Sequence, residues 1–322
     1  MAQEPLEIRH RPVMPEEVLA LAAVEDGDLV VDGTTGEGGH SELFLQRFPD
    51  CRLVCLDADS AIQAKAKTRL ASFGERARFV HGWFDEVLAA WPTEQGEERP
   101  KVILLDLGIS VFHYEESGRG FSFRGDEPLD MRLDESAGGS AADAVNGWSE
   151  AELARVIWEY GEEPHSRRIA RALVAARREE RIESAKKLAD TIWEAVPPAA
   201  RHGRLHPATK TFQALRIAVN GELERLGRAL EAGFRALTTG GRFCVITFHS
   251  LEDRAVKLFF REQAKDCICG PEVARCQCGG QPLAKDLTRH PLVAGDGEVQ
   301  LNPPSRSAKL RAVRKLRERR DE

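Results

Sequence analysis

Three short apolar runs dominate the pattern of the first 106 residues. Leu29-Val30-Val31, Leu53-Val54-Cys55-Leu56 and Val102-Ile103-Leu104-Leu105 are continuous rather than alternating, and an aspartate follows each: Asp32, Asp57 and Asp106. Continuous β-branched runs separated by helical stretches predict buried parallel strands of an open, Rossmann-like α/β sheet. In such sheets the ligand crevice lies beyond the carboxyl ends of the strands. The three aspartates are therefore expected around one crevice. Arg78-Phe79-Val80 predicts a further short strand, and the run from Phe243 to Phe248, behind the Gly240-Gly241 turn, predicts another far downstream.

From about Phe112 to Pro207 the pattern holds no convincing strand and several helices, one opened by Ser149 with Glu152 at capping-box spacing. The predicted organisation is a sheet domain formed by residues 1–111 and 208–322, interrupted by a helical domain at 112–207. Phe212, Leu215, Val219, Leu223, Leu226, Leu230, Phe234 and Leu237 recur every three or four positions and predict one long amphipathic helix that returns the chain to the sheet. Residues 266–305, rich in Gly, Pro and Cys, predict an irregular loop or small ribbon.

Composition excludes some classes. No apolar run among the 322 residues approaches the roughly 20 needed to span a membrane. The start, MAQEPLEIRHRPVMPEEV, lacks the basic-then-apolar form of a secretory signal, so the expected location is the cytoplasm. An odd number of cysteines, seven, fits reduced thiols better than a disulfide framework. Cys267, Cys269, Cys276 and Cys278 form two Cys-x-Cys pairs; zinc knuckles space each pair by two residues, so the reading is a thiol-rich loop and no metal is assigned.

The net charge of −6 hides a segregation. Residues 1–60 hold 13 acids against 4 Lys or Arg, whereas 165–217 hold 12 basic residues against 5 acids, and 306–320 hold 8 against 1. Either basic stretch offers a polyanion local footing; either is also compatible with a solvated helix face.

The sharpest local signal is Asp32-Gly33-Thr34-Thr35-Gly36-Glu37-Gly38-Gly39-His40, a glycine-rich turn directly after the first strand. A dinucleotide-binding loop needs its third glycine at position 41, where Ser41 stands, and Asp32 and Glu37 would repel a pyrophosphate. No Gly-Lys-Ser/Thr loop for a nucleoside triphosphate is present. S-adenosylmethionine fits better: it carries no phosphate, its sulfonium and ammonium attract carboxylates, and its ribose hydroxyls suit an acid such as Asp57. After the third strand, His81-Gly82-Trp83-Phe84 offers an aromatic for an adenine ring.

The assembled blocks resemble the RsmH (MraW) family of cytosine-N4 methyltransferases of small-subunit ribosomal RNA. The matching residues are Asp32 to Ser41, Leu104-Leu105-Asp106-Leu107-Gly108, Arg119-Gly120-Phe121-Ser122-Phe123 and Pro128-Leu129-Asp130-Met131-Arg132. Downstream they continue in His206 to Thr209, Phe212 to Ile217 with Val219-Asn220, Phe248 to Arg254, and Asn302-Pro303 with Ser305 to Arg311. The resemblance spans nearly the whole chain. It implies a class I S-adenosylmethionine-dependent sheet with the cofactor held by Gly36, Gly38, Gly39, His40, Asp57, Phe84 and Asp106. The family's Ser-Pro-Gln-Leu is replaced here by Val111-Phe112-His113-Tyr114, so a contact made by its Gln falls on His113.

Methyl transfer to an exocyclic amine requires mainly alignment and a proton acceptor. Asp106, or backbone carbonyls around Leu107 to Ser110, is the candidate acceptor. Phe121 and Phe123 beside Arg119 are candidates to stack on an unstacked target base, and Arg306 is a further candidate contact to RNA. The expected partner is small-subunit ribosomal RNA or the small subunit itself, and a homodimer is compatible with the sequence. Two other readings stand beside this one: a catalytically silent, cofactor-sensing RNA-binding or assembly module, and a methyltransferase acting on a non-RNA substrate. A Ser-His hydrolase built on His249 and Ser250 is disfavoured, since adjacent residues of an extended segment face opposite ways and no Gly-x-Ser-x-Gly elbow is present.

Overall fold

A computed structural model describes residues 11–92, 98–136, 138–203, 205–266, 269, 273–275, 277 and 280–318. The chain divides into two compact units, Met1–Gly108 with Leu223–Glu322, and Ile109–Glu222.

The first unit is built on one sheet. Its strands are β1 (Leu29–Asp32), β2 (Arg52–Asp57), β3 (Ala77–His81), β4 (Val102–Asp106), β5 (Arg242–Thr247), β6 (Ala284–Asp286), β7 (Leu292–Val293) and β8 (Lys309–Lys315). They run in the order β3-β2-β1-β4-β5-β8-β6, with β7 also paired to β8. β1 to β5 are mutually parallel and β8 is antiparallel to β5. The expected Rossmann-like α/β sheet is thus present, and its winding reverses between β1 and β4, where such sheets bind ligands. Side chains alternate between two cores. Val31, Val54, Leu56, Ile103, Leu105, Phe243 and Val245 pack on one face, while Val30, Leu53, Cys55, Val102, Leu104, Cys244 and Ile246 pack on the other. Burial on both faces is why these strands read as unbroken apolar runs.

Among the described residues four α-helices precede the second unit: α1 (Pro15–Ala22), α2 (Gly39–Arg47), α3 (Ser60–Arg69) and α4 (Phe84–Ala89). Among its described residues that unit has helices and no named strand: α5 (Val111–Glu115), α6 (Ala141–Gly147), α7 (Glu150–Gly161), α8 (Ser166–Glu179), α9 (Ala185–Ala195), α10 (Pro198–Arg201) and α11 (Ala208–Asn220). It closes around its own core, with Leu153, Ile157, Ile169, Leu173, Leu188, Ile192, Phe212 and Leu215 among the members. Ser149 caps α7 by accepting from the Glu152 N–H (3.1 Å). The sheet unit then resumes with α12 (Glu222–Ala236), α13 (Ser250–Gln263) and α14 (Asp296–Leu301).

Two expectations are corrected. The single long helix is two: Gly221 turns the chain in the left-handed region (φ 60°), its N–H capping the end of α11. Phe212 and Leu215 then serve the helical core and Leu226, Leu230 and Phe234 the sheet core, so α11 falls in the helical unit rather than with the sheet. The basic stretch near the carboxyl end contains a strand, β8. β8 is inserted beside β5, with Arg311 and Lys315 buried: Arg311 pairs with Asp253 at 2.7 Å, and the Lys315 ammonium donates to Leu237 O at 2.8 Å and to Arg235 O at 3.2 Å. Those carbonyls lie at the end of α12, where helices leave acceptors unsatisfied. The helix α13 is capped by His249. The His249 and Glu252 side chains each bond the other's backbone N–H, and Asp253 is committed to β8. Of the four clustered thiols, Cys267, Cys276 and Cys278 lie outside the described residues.

Candidate active site

Register decides which acid lies where. Asp32 is level with Cys55 on β2 and Leu104 on β4, so Asp57 and Asp106 stand two residues farther along their strands, about 7 Å toward the crevice. Asp32 is accordingly buried beneath the other two rather than standing at the rim with them. Ser41 Oγ donates to its Oδ2 (2.6 Å) and the Thr34 N–H to its Oδ1 (3.3 Å). Burial pushes the Asp32 carboxyl up to about 6, against the Ser41 hydrogen bond, the His40 charge and the Thr34 N–H. Cys55, 3.5 Å from Ser41, is pushed up to about 12 by burial, with the Asp32 charge adding to it.

The glycine-rich turn is tied to its neighbours through backbone and side chains. Gly36 N–H donates to Asp57 Oδ2 (2.8 Å), the Asp59 N–H donates to Asp57 Oδ1 (2.9 Å), and the Asp106 N–H donates to Thr34 Oγ1 (2.6 Å). The ends of β1, β2 and β4 are thereby locked together. Gly38 caps α2 in the left-handed region at φ 84°, and a Cβ there would meet Leu70 at 3.3 Å. Gly39 and His40 form the first turn of α2.

The structure brings His40 and Asp106 together: Nε2 stands 3.5 Å from Oδ2. Both side chains keep a buried polar atom without a hydrogen-bond partner, His40 Nε2 and Asp106 Oδ1. Buried polar atoms are rarely left so unless something else satisfies them. Phe84 opens α4, half-buried, with its ring edge-on to Trp83 at 6.4 Å. Gly36, Gly38, Gly39, His40, Asp57, Phe84 and Asp106 all belong to the sheet unit and lie at or just beyond the carboxyl ends of β1 to β4. Thr34 and Ser41, which hold Asp106 and Asp32 in place, were within the motif but not singled out by sequence reasoning; their signal was a hydroxyl at two and nine positions after a strand-end acid.

The remaining candidates are His113, Arg119, Phe121 and Phe123 of the helical unit and Arg306 of the sheet unit. His113 is buried in the helical unit, where its Nδ1 accepts from the Ser110 N–H (3.1 Å) and caps α5. Arg119 donates to Arg132 O (3.0 Å) and Leu133 O (3.3 Å) and covers the Phe121 ring, which packs in the helical core. Phe123 stacks on His206 with centroids 4.6 Å apart, and His206 in turn stacks on Trp193. Arg306 is exposed on the 3-10 turn Pro303–Ser307 of the sheet unit.

Residues 7–316 match the model of the MraW methylase family. The chain belongs to the MraW methylase family. It is 54% identical over 308 residues to the ribosomal RNA small subunit methyltransferase H of Treponema denticola, covering 95% of this chain and 97% of that one. The protein of the same name from Geobacter sulfurreducens is 51% identical over 311 residues, covering 95% and 99%, and that from Symbiobacterium thermophilum 47% over 308, covering 95% and 96%. This MraW methylase therefore aligns with its relatives across both units, the helical one included.

Proposed function

We propose that this MraW methylase transfers a methyl group from S-adenosylmethionine to the exocyclic N4 amine of a cytosine in small-subunit ribosomal RNA, in the cytoplasm. The observation that carries the reading is the unpartnered Asp106 oxygen, buried at the end of β4 beside His40 and above a buried Asp32. A cation-bearing, phosphate-free cofactor suits that acidic floor and rim, whereas a pyrophosphate does not. When bound, S-adenosylmethionine supplies a methyl group already activated by its sulfonium.

The protein's own residues then have three tasks. The Gly36–His40 turn, pinned to Asp57 and Asp106, presents a fixed backbone contour. Asp57, which accepts from the Gly36 and Asp59 N–H groups, has its carboxylate oriented at the end of β2 for ribose hydroxyls. Asp106 accepts a hydrogen bond from the cytosine amine, drawing electron density onto a nitrogen whose lone pair is delocalised into the ring. As N4 gains the methyl group it gives up one proton to the Asp106 carboxylate, which returns it to solvent.

Purified protein incubated with methyl-labelled cofactor and small subunits lacking the modification should place label on N4 of a cytosine in the RNA. Label in protein, or bound cofactor with no transfer to RNA, would refute the reading in favour of a non-RNA substrate or a silent module.

A further inference from the structure

The helical unit leaves a set of cations unneutralised. Arg167, Arg168, Arg171 and Arg178 are exposed on α8. Neighbouring surface cations have close carboxylate partners: Arg155 with Glu159, Lys186 with Asp190, Lys187 with Glu180 and Arg181 with Glu183. Among the described residues Arg167, Arg168 and Arg178 have no such partner, and Arg171 only Glu150 at 3.8 Å. At 100° per residue, Arg167, Arg171 and Arg178 fall within an arc of about 40° and along about 17 Å of helix. Arg167 and Arg168 stand in the first turn, which holds no acid, where the helix dipole disfavours cations. The fold's own electrostatics therefore give no reason for them. On α7, which packs against α8, Trp158 is 58% exposed although the unit has a core to bury it in.

We infer that the outer faces of α7 and α8 form a docking surface for single-stranded RNA, with the Arg167–Arg171–Arg178 stripe following the phosphates and Trp158 stacking on a base. The inference rests on the RNA reading above and adds the contact residues. A row of arginines suits a chain of phosphates, and an exposed indole suits an unpaired base of any identity. An acidic protein would answer the charge but gives Trp158 no particular role.

The test measures binding of a fluorescein-labelled single-stranded RNA oligonucleotide between about 50 and 200 mM salt. Each phosphate neutralised contributes roughly −0.7 to the slope of log K against log salt, so Arg167→Gln/Arg171→Gln/Arg178→Gln should flatten the slope by about 2. Trp158→Ala should weaken binding about tenfold at fixed salt, with Trp158→Phe recovering most of the loss. Lys186→Gln, which removes a paired cation, should leave the slope as it is. All four substituted positions of the docking face are exposed, and circular dichroism should show unchanged folding. A wild-type slope in the triple variant overturns the inference while the RNA reading stands. Oligonucleotide binding as in wild type together with lost binding to whole subunits also overturns it, since the partner would then be a ribosomal protein. No salt-dependent RNA binding by the wild type would instead remove the reading on which the inference rests.

Discussion

β8 and α8 are both arginine-rich, and each lies in a stretch of formal charge +7, yet they hold that charge in opposite ways. In β8, Arg311 and Lys315 are buried, the first against Asp253 and the second among the last carbonyls of α12 and Glu318. In α8 Arg167, Arg168, Arg171 and Arg178 face outward, and of these four all but Arg171 lack a carboxylate partner among the described residues. Partial burial alone would raise the Asp253 carboxyl, but the Arg311 and Lys309 hydrogen bonds and charges hold it below the usual carboxylate range. The cations of β8 thus serve the fold, and those of α8 are left over for something outside it. Local charge density does not distinguish the two; placement does.

The contrast can be broken most decisively at Lys315. Lys315→Ala strips a fully buried ammonium from two carbonyls and Glu318, and should destabilise the protein by about 3 kcal/mol, seen as a lowered urea midpoint. Arg167→Gln should leave that midpoint within about 0.5 kcal/mol. Equal losses from both substitutions would erase the distinction.

Asp32 sharpens the same point with an acid. Its folded value near 6 exceeds the unfolded 3.8, so the native state holds a proton that the unfolded chain has already released. Stability contributed by that proton is present at low pH and is lost as pH rises toward and through 6. Unfolding in urea at about pH 4.5 and 7.5 should show wild type losing about 2 kcal/mol relative to Asp32→Asn. Cofactor affinity should move the opposite way, rising as Asp32 becomes charged.

Gly221 gives a smaller loss than Lys315 or Asp32. With φ at 60°, Gly221→Ala should cost about 1 kcal/mol with no change in the salt dependence of RNA binding. A neutral outcome there would mean that the α11–α12 junction tolerates another backbone.

What the sequence made legible follows from the same physics. β1, β2, β4 and β5 lie between two apolar cores, and double burial writes itself as unbroken Val, Ile and Leu. β8 escaped because Lys309, Arg311, Arg314 and Lys315 interrupt its apolar residues, and partners supplied by α13 and α12 make the burial of Arg311 and Lys315 affordable. The helix break was readable in Val219-Asn220-Gly221, a carboxyl-terminal cap signal, but the continuing three-four periodicity of apolar residues masked it. At the site, the strand-end acids and glycine turn were visible as a motif. The burial of Asp32 beneath Asp57 and Asp106 was not, since it depends on strand register. The packing of Arg119 and Phe121 was not legible either: Arg119 donates to Arg132 O and Phe121 belongs to the helical core.

The most direct test is calorimetry on ligand-stripped protein with S-adenosylmethionine and, separately, with a pyridine dinucleotide. Saturable binding of the first, weakened in Asp106→Asn and Asp57→Asn, with no heat from the second, is the predicted result. Tight association of the dinucleotide with no response to S-adenosylmethionine would contradict the account.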